Sequence, residues 1–288
     1  MPNSPTFPKK PVVLLVDNGS LEPAATLGLR ALARRLAETA GCAVRPVSLL
    51  HSSAIAPELL DGKPAEILEP TLRALAASGQ GDVVVVPLFF GPSAAVLEYV
   101  PERVRHLRQL WPKLQVRIAP CLVEAARPDD LRVATMLAER VRATAKANHF
   151  VQPAVAVVDH GSPQRAVNAV RELMAAQVRE ILGNFARNVA GCSMERRAGP
   201  EYAFNEPLLA TLLDTPEFFS GEVIVVRLFL LPGRHAGPGG DIEQICHAAA
   251  ARHSGVKIAL TEPLGTHPRL IPLLAERLEA GSRAAPIA

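Results

Sequence analysis

The chain has 288 residues, of which 49% are hydrophobic, 20% charged and 4% aromatic, with a formal net charge of +3. That length suits about two domains, each able to bury a core of its own. Lysines and arginines are scattered rather than striped, which excludes the basic footprint of a nucleic-acid binder, and the few aromatics exclude base-stacking platforms and membrane belts.

The first ten residues, Met1 to Lys10, are proline-rich and lead into a strand rather than into the apolar core of a secretory signal. Cys42, Cys121, Cys192 and Cys246 show neither C-x-x-C pairing nor zinc-like spacing, so they read as reduced thiols of a cytoplasmic protein. No apolar run approaches the roughly 20 residues of a membrane helix.

Taken in order, the first half alternates strand and helix. Val12 to Val16 is a strand, Glu22 to Ala40 a helix with Leu27, Leu29, Leu32 and Leu36 on a helical period, and Cys42 to Leu49 a second strand. A polar connection, His51 to Lys63, precedes a helix from about Ala65 to Ser78. Strand Asp82 to Leu88, a loop, a helix from Leu97 to Leu110, strand Leu114 to Ala119 and a helix from Asp129 to Lys146 complete the half. Ala147 to Pro153 is the expected linker. The second half repeats the order: strand 154–158, helix 163–182, strand 188–194, helix 201–213, strand 222–230, a glycine-rich loop 231–240, helix 241–253, strand 256–260 and helix 268–280. Ser282 to Ala288 has no periodicity and is expected to fray. Uninterrupted β-branched strands between helices predict parallel sheets.

The two halves also match in detail. PVVLLVDNGS from Pro11 to Ser20 answers AVAVVDHGSP from Ala154 to Pro163; Glu69-Pro70 answers Glu206-Pro207; Val83 to Pro92 answers Val223 to Pro232; Leu137 to Val141 answers Leu274 to Leu278. Ordered correspondence of this kind is a tandem duplication. The expected fold class is therefore α/β, two tandem repeats of a small, mainly parallel four-stranded sheet covered by helices, spanning 1–146 and 147–288, with a cleft between them.

Chemistry is expected on the rim where strands end and helices begin. Asp159-His160-Gly161-Ser162-Pro163 puts His160 on such a turn, with Ser162 as N-cap and Pro163 in the first helical turn. The second rim loop of the same half, Leu228 to His235, carries His235. Two imidazoles meeting at a cleft form a borderline-soft site suited to Co²⁺, Fe²⁺, Ni²⁺ or Zn²⁺. The first half has Asn18 and Ala95 at the matching places, the pattern of one active and one supporting half; coincidental rim histidines are the competing reading. Asp159 points away from His160 and reads as a turn residue. His51, His106, His149 and His267 read as loop or surface histidines without partners.

The strand-Asp-His-Gly-Ser start, the Glu-Pro-x-Leu helix and the Leu-Phe-Leu-Leu-Pro-Gly-x-His loop followed by Asp241-Ile242 resemble the class II tetrapyrrole chelatases, the sirohydrochlorin cobalt and iron chelatases, in their long, internally duplicated form. Those long forms more often carry the histidine pair in the first half, whereas here only the second can supply it, and Gly237 to Gly240 stretches the loop.

The resemblance implies a lyase-class enzyme that inserts Co²⁺ or Fe²⁺, with Ni²⁺ a further candidate, into sirohydrochlorin for cobalamin or sirohaem without a nucleotide. His160 and His235 would hold the metal. Glu206 is the expected proton carrier, with Glu195 and Glu201 as rivals, and Ser162 and Arg234 the expected partners of substrate carboxylates. A monomer suffices, because the repeat forms the cleft. The alternatives are a non-catalytic two-lobed tetrapyrrole or metal carrier and an α/β hydrolase using His160, the latter disfavoured by the lack of a nucleophile elbow.

Overall fold

A computed structural model describes residues 11–288; the proline-rich start lies outside them. The first sheet joins β1 (Val12–Asp17), β2 (Val44–Ser48), β3 (Asp82–Pro87) and β4 (Gln115–Ile118) in the order β2-β1-β3-β4, and the second joins β5 (Ala154–Asp159), β6 (Asn188–Ser193), β7 (Glu222–Arg227) and β8 (Lys257–Leu260) in the order β6-β5-β7-β8. Every pairing is parallel. Val12 pairs with Val83 and Ala154 with Val223, so the duplicated strands occupy duplicated places.

The helices are α1 (Pro23–Ala40), α2 (Leu68–Ala77), α3 (Val100–Leu110), α4 (Arg132–Asn148), α5 (Arg165–Leu182), α6 (Leu209–Leu212), α7 (Pro216–Phe219), α8 (Asp241–Arg252) and α9 (Leu270–Arg283). Alternate strand residues feed different cores. Leu14, Val16, Val83 and Val85 face outward beneath α2 and α3, and Ala154, Ala156, Val223 and Val225 face outward beneath α6 and α8. Their neighbours Val13, Leu15, Val84, Val155, Val157 and Ile224 join one continuous inner core with Leu32 and Leu36 of α1, Met174 of α5, Leu137 of α4 and Leu274 of α9. The molecule is thus five layers deep, helices alternating with sheets.

The sheets fall one in each half of the chain, but the helices do not respect the division between 146 and 147. The last helix of each half covers the other half's sheet: α4 packs on β7, β8 and α5, while α9 packs on β3, β4 and α1. Gly281 makes that docking possible, since a Cβ there would stand 2.6 Å from the Ala119 Cβ. Buried Arg277 of α9 reaches Glu124 at 2.9 Å and Asp130 at 3.4 Å on the first half, and Arg140 of α4 reaches Glu262 at 3.2 Å on the second.

Several local expectations are corrected. α5 starts at Arg165, two residues after Pro163. The helix expected over 201–213 is a 3₁₀ segment (Pro200–Asn205) followed by the short α6, because Pro207 brings no amide hydrogen to continue it. The tail is tied down: Ile287 donates its N–H to the Val116 carbonyl at 2.8 Å and Arg108 donates to the Ile287 carbonyl. His267 is buried, with Nε2 3.1 Å from Glu139. Finally, Ser48 bridges to Ile67 and Ser193 to Leu208, which puts Glu206 opposite Ala65 and Glu69 opposite Ala210. The two Glu-Pro pairs are not equivalent.

Candidate active site

The carboxyl ends of both sheets open on one cavity of about 700 Å³, walled by residues of the two halves. β5 ends at Asp159 and delivers His160; β7 leads through Leu228 to Leu231 into the loop that carries His235. Their rings meet edge to face, centroids 4.6 Å apart and planes at 66°. Both histidines are partly exposed on the cavity wall.

Each imidazole is held by its Nδ1. His160 Nδ1 lies 3.1 Å from the Gly161 carbonyl, and His235 Nδ1 lies 2.6 Å from Asp241 Oδ2. A carbonyl or carboxylate oxygen can only accept, so Nδ1 carries the hydrogen and the Nε2 lone pair is free for a ligand. Asp241 stands in the first turn of α8, where a negative charge suits the helix dipole. Glu195 completes the group, its Oε1 3.4 Å from His160 Nε2. Among the described residues no three His, Cys, Asp or Glu side chains are grouped so as to hold a metal ion.

Two arginines brace these elements. Arg171 of α5 is 1% exposed and binds the Ser193 hydroxyl and the Asn205 carbonyl, with Asp159 Oδ1 at 3.8 Å. Asp159 also accepts from Ser193 Oγ at 2.7 Å and from the Gly161 amide, the turn role expected of it, and burial raises its carboxyl above the usual range. Arg227 at the end of β7 donates to the Ala236 carbonyl at 2.5 Å and to the Thr261 carbonyl, pinning the loop beside His235.

The first half retains the geometry without the chemistry. Leu50 donates its N–H to the Asn18 carbonyl as Glu195 does to that of His160, and a Cβ on Gly19 would strike the Leu50 carbonyl as one on Gly161 would strike that of Glu195. Thus His160 and Glu195 correspond to Asn18 and Leu50, and by position in the repeat His235 corresponds to Ala95. Arg171 and Arg227 correspond to Leu29 and Pro87, so the braces occur only in the lobe with the histidine pair.

Other expected residues fall differently. Glu206 lies away from the cavity: Oε1 takes Arg196 Nε at 2.6 Å and Oε2 takes the Leu208 amide at 3.0 Å. Ser162 caps Gln164 with its hydroxyl, and its own N–H is spent on Asn205 Oδ1 at 2.9 Å, leaving none for a substrate carboxylate. Arg234 does line the cavity, 78% exposed and 3.8 Å from Asp241. Glu201 stands outside it, whereas His51 and Ser20 line it from the first half. All four cysteines are free, and burial pushes the Cys121 and Cys246 thiols up to about 12, where neither is a thiolate ligand.

A protein of this kind, two parallel α/β lobes closing a cleft with two imidazoles on one wall, has known counterparts. The CbiX family model matches residues 12–144 and again 154–280, and the chain belongs to that family, in its long, internally duplicated form. Among solved structures it is similar to SirB from Bacillus subtilis with Fe³⁺, at 17% identity over 95% of this chain and 96% of that one, with a TM-score of 0.67. The sirohydrochlorin chelatase SirB from Bacillus subtilis subspecies spizizenii in complex with cobalt gives 15% identity over 97% and 100%, with a TM-score of 0.70. CbiX, described as the terminal enzyme of sirohaem biosynthesis in denitrifying bacteria, gives 21% over 93% and 98%, with a TM-score of 0.59. No curated protein matches the chain in sequence. No helix among the described residues is long and apolar enough to cross a membrane.

Proposed function

We propose that this protein is a sirohydrochlorin chelatase that inserts a divalent metal, Co²⁺ or Fe²⁺, into the tetrapyrrole without nucleotide hydrolysis, serving sirohaem or cobalamin synthesis. Family membership and the metal-bound chelatases of the same fold support a chelatase role. The observation that carries the reading is the His160–His235 pair, rings 4.6 Å apart with both Nε2 atoms unclaimed by backbone, on the wall of a cavity of macrocycle size.

The chemistry follows from that geometry. Insertion exchanges two pyrrole protons for one divalent ion. Two neutral imidazoles bind a borderline ion well enough to capture it, yet supply too few ligands to retain it against four ring nitrogens. The apolar walls, Phe89 and Phe90 from one lobe and Phe229 and Leu231 from the other, suit the faces of a flat ring. Glu195 beside His160 takes the acidic role in place of Glu206. Arg234 is the cation on the wall for a ring carboxylate. A single chain suffices, since both walls belong to it.

The test mixes purified protein with sirohydrochlorin and Co²⁺ or Fe²⁺ while the tetrapyrrole absorption band is followed. Accelerated metallation that falls about 100-fold or more in His160→Ala and His235→Ala is expected. Binding of sirohydrochlorin without acceleration would instead make the protein a carrier, the reading the silent first lobe invites, and absence of binding would remove both.

A further inference from the structure

We propose that Asp17 is a catalytic base that takes a pyrrole proton on the side of the ring facing the first lobe, opposite the imidazole pair; the inference rests on the chelatase reading above. Asp17 ends β1, lines the same cavity as His160 and His235, and is only 7% exposed. Its Oδ1 has no hydrogen-bond partner. Buried polar atoms are almost always paired, and an unpaired, buried carboxylate oxygen in a residue that lines the cavity is capacity held in reserve.

The internal repeat shows what has been withdrawn. Asp159, its counterpart, is occupied by the Ser193 hydroxyl and the Gly161 amide and faces the charge of the Arg171 guanidinium 3.8 Å away. Arg171 is the seventh residue of α5; the seventh residue of α1 is Leu29. The lobe that lacks the histidine pair, and contributes only His51 to the cavity, has therefore also no cation over its aspartate, and has kept the aspartate. What faces Asp17 is the Ser48 hydroxyl from β2 and the Gly19 amide, with no charged side chain among the groups that tune it. Burial pushes its carboxyl up to about 6, close to working pH, where a base can both take and return a proton.

The step balances as follows. One pyrrole N–H bond breaks, its electron pair stays on nitrogen and is donated to the divalent ion arriving from the His160–His235 side, and the proton forms an O–H bond on Asp17. The second pyrrole proton goes to water in the open cleft. Asp17 returns its proton to water when the product leaves, and no oxidant or reductant is needed.

The decisive variant is Asp17→Asn in the full chain, assayed for Co²⁺ insertion into sirohydrochlorin, for Co²⁺ binding by its visible absorption, and for sirohydrochlorin binding by fluorescence quenching. Expected are a metallation rate lower by about 100-fold, both binding constants unchanged, and loss of the acid limb near pH 6 from the pH–rate profile. A variant with wild-type rate and an intact acid limb overturns the inference and leaves the chelatase reading standing. Ser48→Ala provides a second arm that keeps the carboxylate: removing the opposing hydroxyl moves the acid limb to higher pH, and an unmoved limb overturns the inference. A wild-type chain that neither binds nor metallates sirohydrochlorin overturns the functional reading itself, and this inference falls with it.

Discussion

At each site histidine the decisive atom is the nitrogen facing away from the cleft, because what Nδ1 donates to determines whether Nε2 can ligate. For His235 that acceptor is Asp241, at 2.6 Å. Asp241→Asn should weaken Co²⁺ binding about 10- to 100-fold with little change in thermal unfolding, as loss of such a partner does elsewhere; equilibrium dialysis against Co²⁺ checks this. Asp17 carries a thermodynamic cost as well as its proposed role. Its folded pKa, about 6, lies above its ordinary 3.8, so the unfolded chain releases the proton first as pH rises. Stability is therefore unaffected below about pH 4, falls between about 4 and 6, and stays lower above that, by about 3 kcal/mol at 1.36 kcal/mol per pKa unit. Asp17→Asn should recover up to that amount at pH 8 and nothing at pH 4, measured by urea unfolding at both. A more stable but slower variant is the signature of a functional residue held at structural expense.

The elements that matter most to the architecture are α4 and α9, which cross from one half to the other. α9 comes within reach of β4 only because position 281 has no side chain. Gly281→Leu should cost about 2–3 kcal/mol through overpacking and should loosen the first sheet before the second, a difference that hydrogen exchange on β3 and β7 resolves. The arginines hold the same exchange together. Arg277 is 2% exposed, donates to the Leu122 carbonyl at 3.1 Å and is set against three carboxylates, those of Glu124, Asp130 and Glu276, so Arg277→Met strands buried acceptors and should cost about 3–5 kcal/mol in denaturant unfolding. Asp130, held well below the usual carboxylate range by Arg132 with help from Arg277, marks how strongly that corner is polarised.

For the molecule as a whole, the exchange means that the duplication does not yield two independent domains. Residues 11–149 alone would leave β3, β4 and α1 without α9, and α4 without β7 and β8. Expressed separately, each half should lack a cooperative unfolding transition, and mixing the two should restore one; a half that unfolds cooperatively by itself would contradict this. The exchange also accounts for division of labour between lobes. Because the cleft is held from both sides, its walls can differ: the first half presents Asn18 where the second presents His160 and His235, and the braces Arg171 and Arg227 occur only beside that histidine pair.

Much of this was legible along the chain. Strand and helix follow from periodicity and turn residues, which act within a few positions of each other, so β1 and β5, their duplication, and the approach of His160 to His235 could all be read from residue order. The place of Glu206 is not legible in the sequence, because a Glu-Pro dipeptide looks alike whether or not it shares a register, and only the bridges of Ser48 and Ser193 set the offset. Glu195 stood among the candidates, but its place beside His160 depends on where β6 ends relative to β5, which no local signal states. Arg171 and Arg227 carry no local signal of their role, since a buried arginine is recognised by its partners, and apart from Glu172 next to Arg171 those lie from nine to thirty-four positions away. By itself the sequence determined the strands, the repeat and which half bears the imidazoles, because these rest on local hydrogen bonding and the alternation of apolar residues. Tertiary structure alone decided which sheet each terminal helix covers, which carboxylate meets the histidines and which is left unpaired, because those outcomes depend on burial and charge between segments far apart in the chain.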